Sequence, residues 1–533
     1  MKLKINYLLA LVLGSMGLVG CNNLDTEPWD NYVTASEKED AIGLNPEIAS
    51  AGIVGISSVM PQCWSVLNDT YHNDFGWPAL MMMFDSMSPD FVSRNIGYNW
   101  FGTMAGYQVG TNNNVLNTMG WYLSYKIVKA ANSVLETFPT VDTPEAMLYA
   151  SQAHANRAYA YFMLAQMFQY TYVGHQDMPC VPILTEKNQK EVAESGGIAR
   201  SSVQQVYDFI LEDLDTAVKY LTDCKLKPDA IASVGTKRFV SLGTAYGLRA
   251  RVNLVMNKWK EAAEDADNAI KNSDCTPLSF AEAAQPGFYD SNDHECMWAI
   301  YIQETDRCVT TGIVNYPSHM GSFNSNGYWT VGANRIINKA LFASIPASDA
   351  RKGWWLSELG KSKNLTDEQQ KFVKKYSPEG LTNVKFGPYE GKVGTTLNAN
   401  DYFLMRIEEM YLIKAEATAM AGNPGQGKQL LIDFVTTYRD PKYTCKANTA
   451  VDVQNAVYEQ RRIEFWGEGV NYFDLLRLNK PMDRRGGGWE SDWVYYVEAP
   501  LPPLLIPNGE MEANKLIGEN NPSWSKPNPV DDK

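Results

Sequence analysis

The feature that most limits what this chain can fold into is a set of small residues at helical spacing. In TAYGLRARVNLVMNKWKEAAEDADNAIKNSD, residues 244–274, alanines stand at 250, 262, 266 and 269, and Trp259 sits between the two helical halves. Small side chains let facing helices approach closely, and an aromatic at the connection plugs the turn. A second, looser unit spans YFLMRIEEMYLIKAEATAMAGNPGQGKQLLIDFVTTYR, residues 402–439. Its first helix is expected to end at Gly422, before the Asn423-Pro424-Gly425 break. Apolar residues three and four apart predict further helices over 121–138, 145–170 and 202–221. Thr143-Pro144-Glu145 supplies an N-cap and a first-turn proline for one. Ser202 and Gln205 form a capping-box pattern for another.

The paired units resemble tetratricopeptide repeats. They lie far apart in the chain, so no continuous solenoid is expected. The segments between them lack helical period. Residues 63–112 and 276–335 are rich in aromatics, Asn and Gly, with a strand-like piece at Cys296–Tyr301, and 481–533 is a Pro- and Gly-rich tail. Long irregular loops in a compact protein are usually functional. The expected fold class is therefore mainly α: a tetratricopeptide-like helix-pair scaffold at about 115–275 and 400–480, with a loop-rich, irregular second half-layer. Loop insertions at about 60–112 and 276–335 carry the ligand, and the tail wraps over the helices. Length alone would suggest three or four domains, but a helical array grows without splitting.

The first 20 residues read as a signal peptide: Lys2 and Lys4, then an apolar run from Ile5 to Gly20 too short for a permanent span. Leu18-Val19-Gly20-Cys21 resembles a bacterial lipobox, in which Cys21 would become a lipidated N-terminus. One domain, 21–533, would follow. With Lys2 and Lys4 removed, 45 basic residues (47 − 2) face 61 acidic ones. Such a chain is a poor fit to nucleic acid or to anionic lipid, so contact with the membrane is expected through the lipid anchor alone. Seven cysteines remain beyond Cys21, with no C-x-x-C pair and no zinc spacing. Buried thiols acting as small apolar residues are the expectation. Asp290-Ser-Asn292-Asp293-His-Glu295 lacks the glycine and spacing of a calcium loop and reads as a solvated turn. No metal and no cofactor is expected.

Several ordered segments resemble the SusD/RagB family of outer-membrane lipoproteins. They are Cys21-Asn-Asn-Leu24-Asp25-Thr-Glu27-Pro28, Arg157-Ala-Tyr-Ala-Tyr161-Phe162-Met-Leu164, and Arg406-Ile-Glu408-Glu409-Met-Tyr411-Leu412 through Ala417. QRRIEFWGEGVNYFDLLRLNK at 460–480 follows, then Ile506-Pro507, Glu510, Asn514 and Asn521-Pro522. The resemblance implies the helix-pair fold, glycan binding at the cell surface, no enzymatic activity, and partnership with a SusC-type TonB-dependent transporter. It also implies an outer-membrane position facing the exterior. Such lipoproteins often carry an acidic cluster after the lipidated Cys; here Asp25 and Glu27 are split by neutral residues, so that orientation rests on the family.

A sugar presents an apolar C–H face and a hydroxyl rim, so its site needs an exposed flat aromatic edged by Asn, Asp or Arg. Two loops have that composition. One offers Trp77, Tyr98 and Trp100 with Asn73, Asp74, Arg94 and Asn99; the other offers Tyr316, Tyr328 and Trp329 with Asn324 and Asn326. Trp100 and the Tyr328-Trp329 pair are expected to flank one exposed cleft. Met81-Met82-Met83 reads as loop core.

Residues 460–480 could be read as a carboxylate pair for glycoside hydrolysis or as a structural ion-pair network. Arg461 three before Glu464, and Asp474 three before Arg477, favour the network Arg461, Glu464, Glu468, Asp474 and Arg477, broken at Gly467 and Gly469. No catalytic residue is expected. The alternatives to glycan capture are peptide capture, as in the RagB branch of the family, a helical glycosidase, and a bare helix-pair adaptor.

Overall fold

A computed structural model describes residues 47–67, 70–138, 140–321 and 323–532. The signal segment, Cys21, Asp25 and Glu27 lie outside these residues. Residues 49–533 form one compact unit. Its principal helices are α1 (Glu47–Val59), α2 (Trp77–Met87), α3 (Val115–Leu135), α4 (Pro144–Phe168), α5 (Val203–Cys224), α6 (Leu242–Val255), α7 (Trp259–Lys271), α8 (Ile407–Met420), α9 (Pro424–Tyr438), α10 (Ala450–Glu464) and α11 (Asn471–Arg477). Short strands pair antiparallel: β1 (Phe91–Val92) with β3 (Ile336–Ile337), β2 (Cys296–Ile300) with β4 (Tyr402–Arg406), and β5 (Met482–Asp483) with β6 (Tyr496–Val497). The protein is mainly helical.

Helix starts follow local chemistry. Thr143 accepts a hydrogen bond from the Ala146 amide at 3.1 Å and so caps α4. Ser202 and Gln205 close a reciprocal capping box on α5. Within the pairs, an arginine on one helix grips an aspartate on the next. Arg157 of α4 donates twice to Asp213 of α5, both at 2.8 Å, and Arg249 of α6 donates to Asp265 of α7 at 2.9 and 2.6 Å. Ala262, Ala266 and Ala269 are fully buried where α6 meets α7.

The two repeat units are contiguous in space, contrary to the expectation from their separation. α3 packs on α4, α4 on α5, α5 on α6, α6 on α7, α7 directly on α8, and α8 on α9 and α10. The chain between α7 and α8 loops out and returns, so the helical array continues across the insertion. The return is stapled by β2 and β4, with Cys296 opposite Arg406 and Ile300 opposite Tyr402. Residues 402–406 are therefore strand rather than the start of the repeat helix. All five are buried, which hides the strand period.

A second correction concerns 63–112. It contains α2, every residue of which is buried, including Met81, Met82 and Met83. A helix buried on all sides has no polar face, so its period is invisible in the sequence. Gly76 precedes it at φ +74°, and a Cβ there would meet the Met60 carbonyl oxygen at 2.0 Å. The tail contacts the backbone of earlier segments. Asn521 Nδ2 donates to the Phe168 and Leu504 carbonyls at 2.7 Å, and the Trp524 amide donates to Gly110 O at 3.1 Å. The seven cysteines beyond Cys21 are free thiols, six of them buried.

Candidate functional site

The two aromatic loops meet, but through fewer residues than the sequence offered. His72 stacks on Trp100 with ring centroids 4.4 Å apart, and its Nδ1 is hydrogen-bonded to Tyr328 Oη. Tyr98 leans toward Tyr328 at 6.5 Å. Beneath them Tyr328 stacks on His319 at 4.5 Å, and His319 stacks on Phe75 at 5.5 Å and meets the Phe101 edge at 5.1 Å. The result is a rigid aromatic tier, buried at the bottom and open at the top. Tyr98 is 56% exposed and Tyr71 is 41% exposed, with Trp100 half-buried between the open and closed parts.

The polar residues named with these rings hold the loops. Asn73 Nδ2 donates to the Trp100 carbonyl at 2.9 Å. Asn99 Nδ2 donates to Ser93 Oγ and the Arg94 carbonyl, and its Oδ1 accepts from Arg335 at 3.0 Å. Arg94 is spent on an ion pair with Glu379 and a bond to the Gly488 carbonyl at 2.8 Å. Asn324 Nδ2 bonds the Pro317 carbonyl at 2.8 Å, and the half-buried Asn326 bonds Gly312 O at 3.3 Å. Asp74 is fully buried, and that burial pushes its pKa up to about 6.

Four of the expected aromatics are buried: Tyr328, 5% exposed within the tier, and three others outside it. Trp77 opens α2 inside the core, its Nε1 donating to Tyr159 Oη at 2.9 Å. Tyr316 is packed edge-on against Tyr402 and Phe386, with its hydroxyl on the Gly467 carbonyl at 2.7 Å. Trp329 turns away from Tyr328 into a separate core cluster with Phe323, Leu356 and Phe372. The expected exposed cleft between Trp100 and a Tyr328-Trp329 pair is thus absent: Tyr328 is buried against His72 and His319, Trp329 lies in the other cluster, and Trp100 is half-buried. His72 and His319 were not singled out from sequence. Their only signal was position, each lying inside one of the aromatic loops. Burial holds both imidazoles below the ordinary histidine range, and it raises the Tyr328 hydroxyl to about 12. The tier is neutral at pH 7.

The 460–480 carboxylates sit elsewhere and are saturated. Glu464 accepts from Arg439 at 2.8 and 2.9 Å, from Arg406 at 3.0 Å and from Arg351 at 3.1 Å. Glu468 takes Lys385 and Arg406, and Arg461 reaches Asp474 at 2.7 Å and Glu409 at 3.3 Å. Arg477 joins Asp474 to Glu416. Arg461 does not pair with Glu464, as its spacing suggested; the partners of Glu464 come from distant segments. Burial opposes ionisation, yet the surrounding arginines hold Glu464 well below the carboxylate range and Asp474 below it. Gly469, at φ +76°, sits where a Cβ would strike Met81 at 2.6 Å.

Two other features bear on function. A largely apolar cavity of about 380 Å³ lies between α3 and the short helix Asn508–Ala513, lined by Trp121, Tyr122, Tyr125 and Ile198. Glu510 and Asn514 also line it, and none of its rings is fully exposed. Among the described residues, no group of three His, Cys, Asp or Glu side chains could hold a metal ion, and no helix is long and apolar enough to cross a membrane.

Comparison with known proteins gives a consistent picture. A family model described as starch-binding, associating with outer membrane, matches residues 54–254, and the SusD family model matches 328–524. A SusD-like protein P38 of Formosa agariphila is 22% identical over 432 residues, covering 74% of this chain and 78% of that protein. A SusD-like carbohydrate binding protein from Bacteroides vulgatus superposes with a TM-score of 0.71 at 20% identity, covering 93% of this chain and 99% of that one. A SusD superfamily protein from Bacteroides thetaiotaomicron gives 0.70 at 20% identity, covering 89% and 99%. A laminarin binding SusD-like protein gives 0.61 at 19% identity, again covering 89% and 99%. With matches on both halves of the helical array and the same fold in these neighbours, the chain belongs to the SusD/RagB family.

Proposed function

We propose that this protein is a non-catalytic, glycan-binding lipoprotein of the outer cell surface. It is lipidated at Cys21 and delivers oligosaccharide to a SusC-type TonB-dependent transporter. The observation that carries this reading is the braced aromatic tier, with Tyr98 and Trp100 offering ring area at its open end. Exposed aromatics are rare here. Among the described residues Phe280 is the one exposed aromatic besides Tyr71 and Tyr98, so two of three stand beside this tier. A ring held by stacked neighbours loses little freedom on binding, which is how a platform gains affinity for a sugar face. Family membership and the carbohydrate- and laminarin-binding neighbours support the same ligand class.

Hydrolysis fits poorly. A glycosidase needs one carboxyl kept protonated beside an open cleft and a second carboxylate near it. The carboxyls pushed up to about 8, Asp85 and Glu295, are 2% and 1% exposed. Those at 464, 468 and 474 are ion-paired. Isothermal titration of the soluble mature chain against neutral and acidic oligosaccharides and mixed oligopeptides tests the reading. Saturable binding of a saccharide without product supports it. Binding of peptides alone, or product formation, overturns it.

A further inference from the structure

Among the described residues, Arg238 and Arg307 form no ion pair with a carboxylate and so stand outside the compensated networks. Arg238 ends a short 3-10 turn, Thr236–Arg238, and Arg307 opens the helix Arg307–Thr310. Together with Ser58, Gln62, Tyr301 and Asp306 they line an open cavity of about 260 Å³. Arg307 lies over the Trp64 ring at 4.8 Å, and Arg238 lies over Phe239 at 4.9 Å and Tyr301 at 5.5 Å. Stacking fixes the guanidinium planes without neutralising them, and leaves their N–H forks for an anion. Arg238 Nε is shielded from water and has no hydrogen-bond partner among the described residues.

The nearby carboxylate does not satisfy them. Asp306 Oδ2 accepts from the Gln303 amide at 2.8 Å, closing its own turn. Burial lowers the Arg238 pKa, and Tyr301 and Asp306 offset this only in part. The contrast with Arg157 and Arg249 is direct: each has two carboxylates and is raised instead. In a chain of formal charge −14, this cavity is lined by two guanidiniums and one carboxylate, Asp306, so its lining is net positive.

We propose that this cavity is an anion subsite for a carboxylate- or sulfate-bearing sugar residue, so that the glycan taken by this protein is acidic. The proposal rests on the glycan reading and deepens it. The Trp64 indole, under Arg307, donates to the Tyr71 carbonyl at 2.8 Å, and Tyr71 adjoins His72 of the aromatic tier. The charged residue of the ligand is held here, and uncharged ring faces lie on the tier.

The test uses the soluble mature chain and an R238Q/R307Q variant, titrated with oligogalacturonate, a sulfated galactan oligosaccharide and neutral laminari-oligosaccharide. Uronate and sulfate are the two sources of the same charge, and separate titrations tell them apart. At least one acidic oligosaccharide should bind the wild type. The variant should bind it at least about tenfold more weakly, as expected for losing charge-assisted bonds. Raising salt from about 50 to 300 mM should weaken wild-type binding and change the variant little. An unchanged melting temperature in the variant separates lost contacts from lost folding. Equal affinity of wild type and variant for acidic ligands overturns the proposal. So does binding of neutral glucan with no binding of either acidic ligand, which leaves the glycan reading standing. Absence of all saccharide binding removes both.

Discussion

Replacing Glu464 by glutamine tests the ion-pair core most sharply. The charges around it balance: Arg351, Arg406, Arg439 and Lys385 against Asp349, Glu408, Glu464 and Glu468. Glu295, pushed up to about 8 by burial and by the Glu408 charge, stays protonated beside them. The Glu464→Gln change keeps the side-chain shape and one acceptor but removes the charge. One buried positive charge is left over among three arginines that are each at most 1% exposed on the side chain. Breaking a buried pair in this way costs about 3–5 kcal/mol. Unfolding entropy is roughly 2 cal/mol/K per residue, so the unit of roughly 485 residues, 49–533, unfolds with about 1 kcal/mol/K. The expected fall in Tm is therefore about 3–5 °C, read by calorimetry at pH 7. Because the pair is buried, the difference should persist at high salt. An unchanged Tm together with weakened ligand binding would refute the reasoning and assign Glu464 a role at a ligand.

Other expectations follow from the same structure. Asp85 is fully buried, accepts from the Gly469 amide at 2.8 Å, and is raised to about 8. Its folded state keeps a proton that the unfolded state releases near pH 4. The group's stabilisation is thus complete below about pH 4 and declines by up to about 1.4 kcal/mol per unit until about pH 8. Urea titrations of Asp85→Asn should show a flatter profile across pH 5–8, and curves parallel to wild type would contradict it. Trp329→Ala should cost about 3–5 kcal/mol by emptying a core site while sparing ligand affinity, measured by melting and titration side by side; lost affinity at unchanged Tm would return Trp329 to the site. His72 and His319 are held below the ordinary range and Tyr328 is raised to about 12, so affinity for a neutral oligosaccharide should stay flat from pH 7 to 8.5. A step within that interval would mean that the tier titrates.

The helical array was legible because its signals are local. Thr143 and Ser202 cap the helices their sequences suggest, and Ala262, Ala266 and Ala269 lie where close packing requires them. The packing of α7 on α8 was not legible, because a long insertion separates in sequence what meets in space. α2 was missed because uniform burial erases the 3.6-residue period. In the candidate site the two loops were identifiable by composition, but their individual rings were not. Trp77, Trp329 and Tyr98 are alike as letters, and only the fold decides that the first two fill cores while the third faces water. The partners of Glu464 were equally hidden, since Arg351, Arg406 and Arg439 come from three separate segments.

The central claim is that the tier at Tyr98 and Trp100 is where a saccharide binds. Titration of a saccharide that binds the wild type, repeated with a Y98A/W100A variant, tests it most directly. Losing an exposed aromatic anchor of this kind costs about 2 kcal/mol, or roughly 30-fold in Kd, and Tyr98 at 56% exposure contributes little to folding. The predicted result is binding weakened by at least that factor with a Tm within about 2 °C of wild type. Unchanged affinity in a folded variant would contradict the account and place the ligand elsewhere on the molecule.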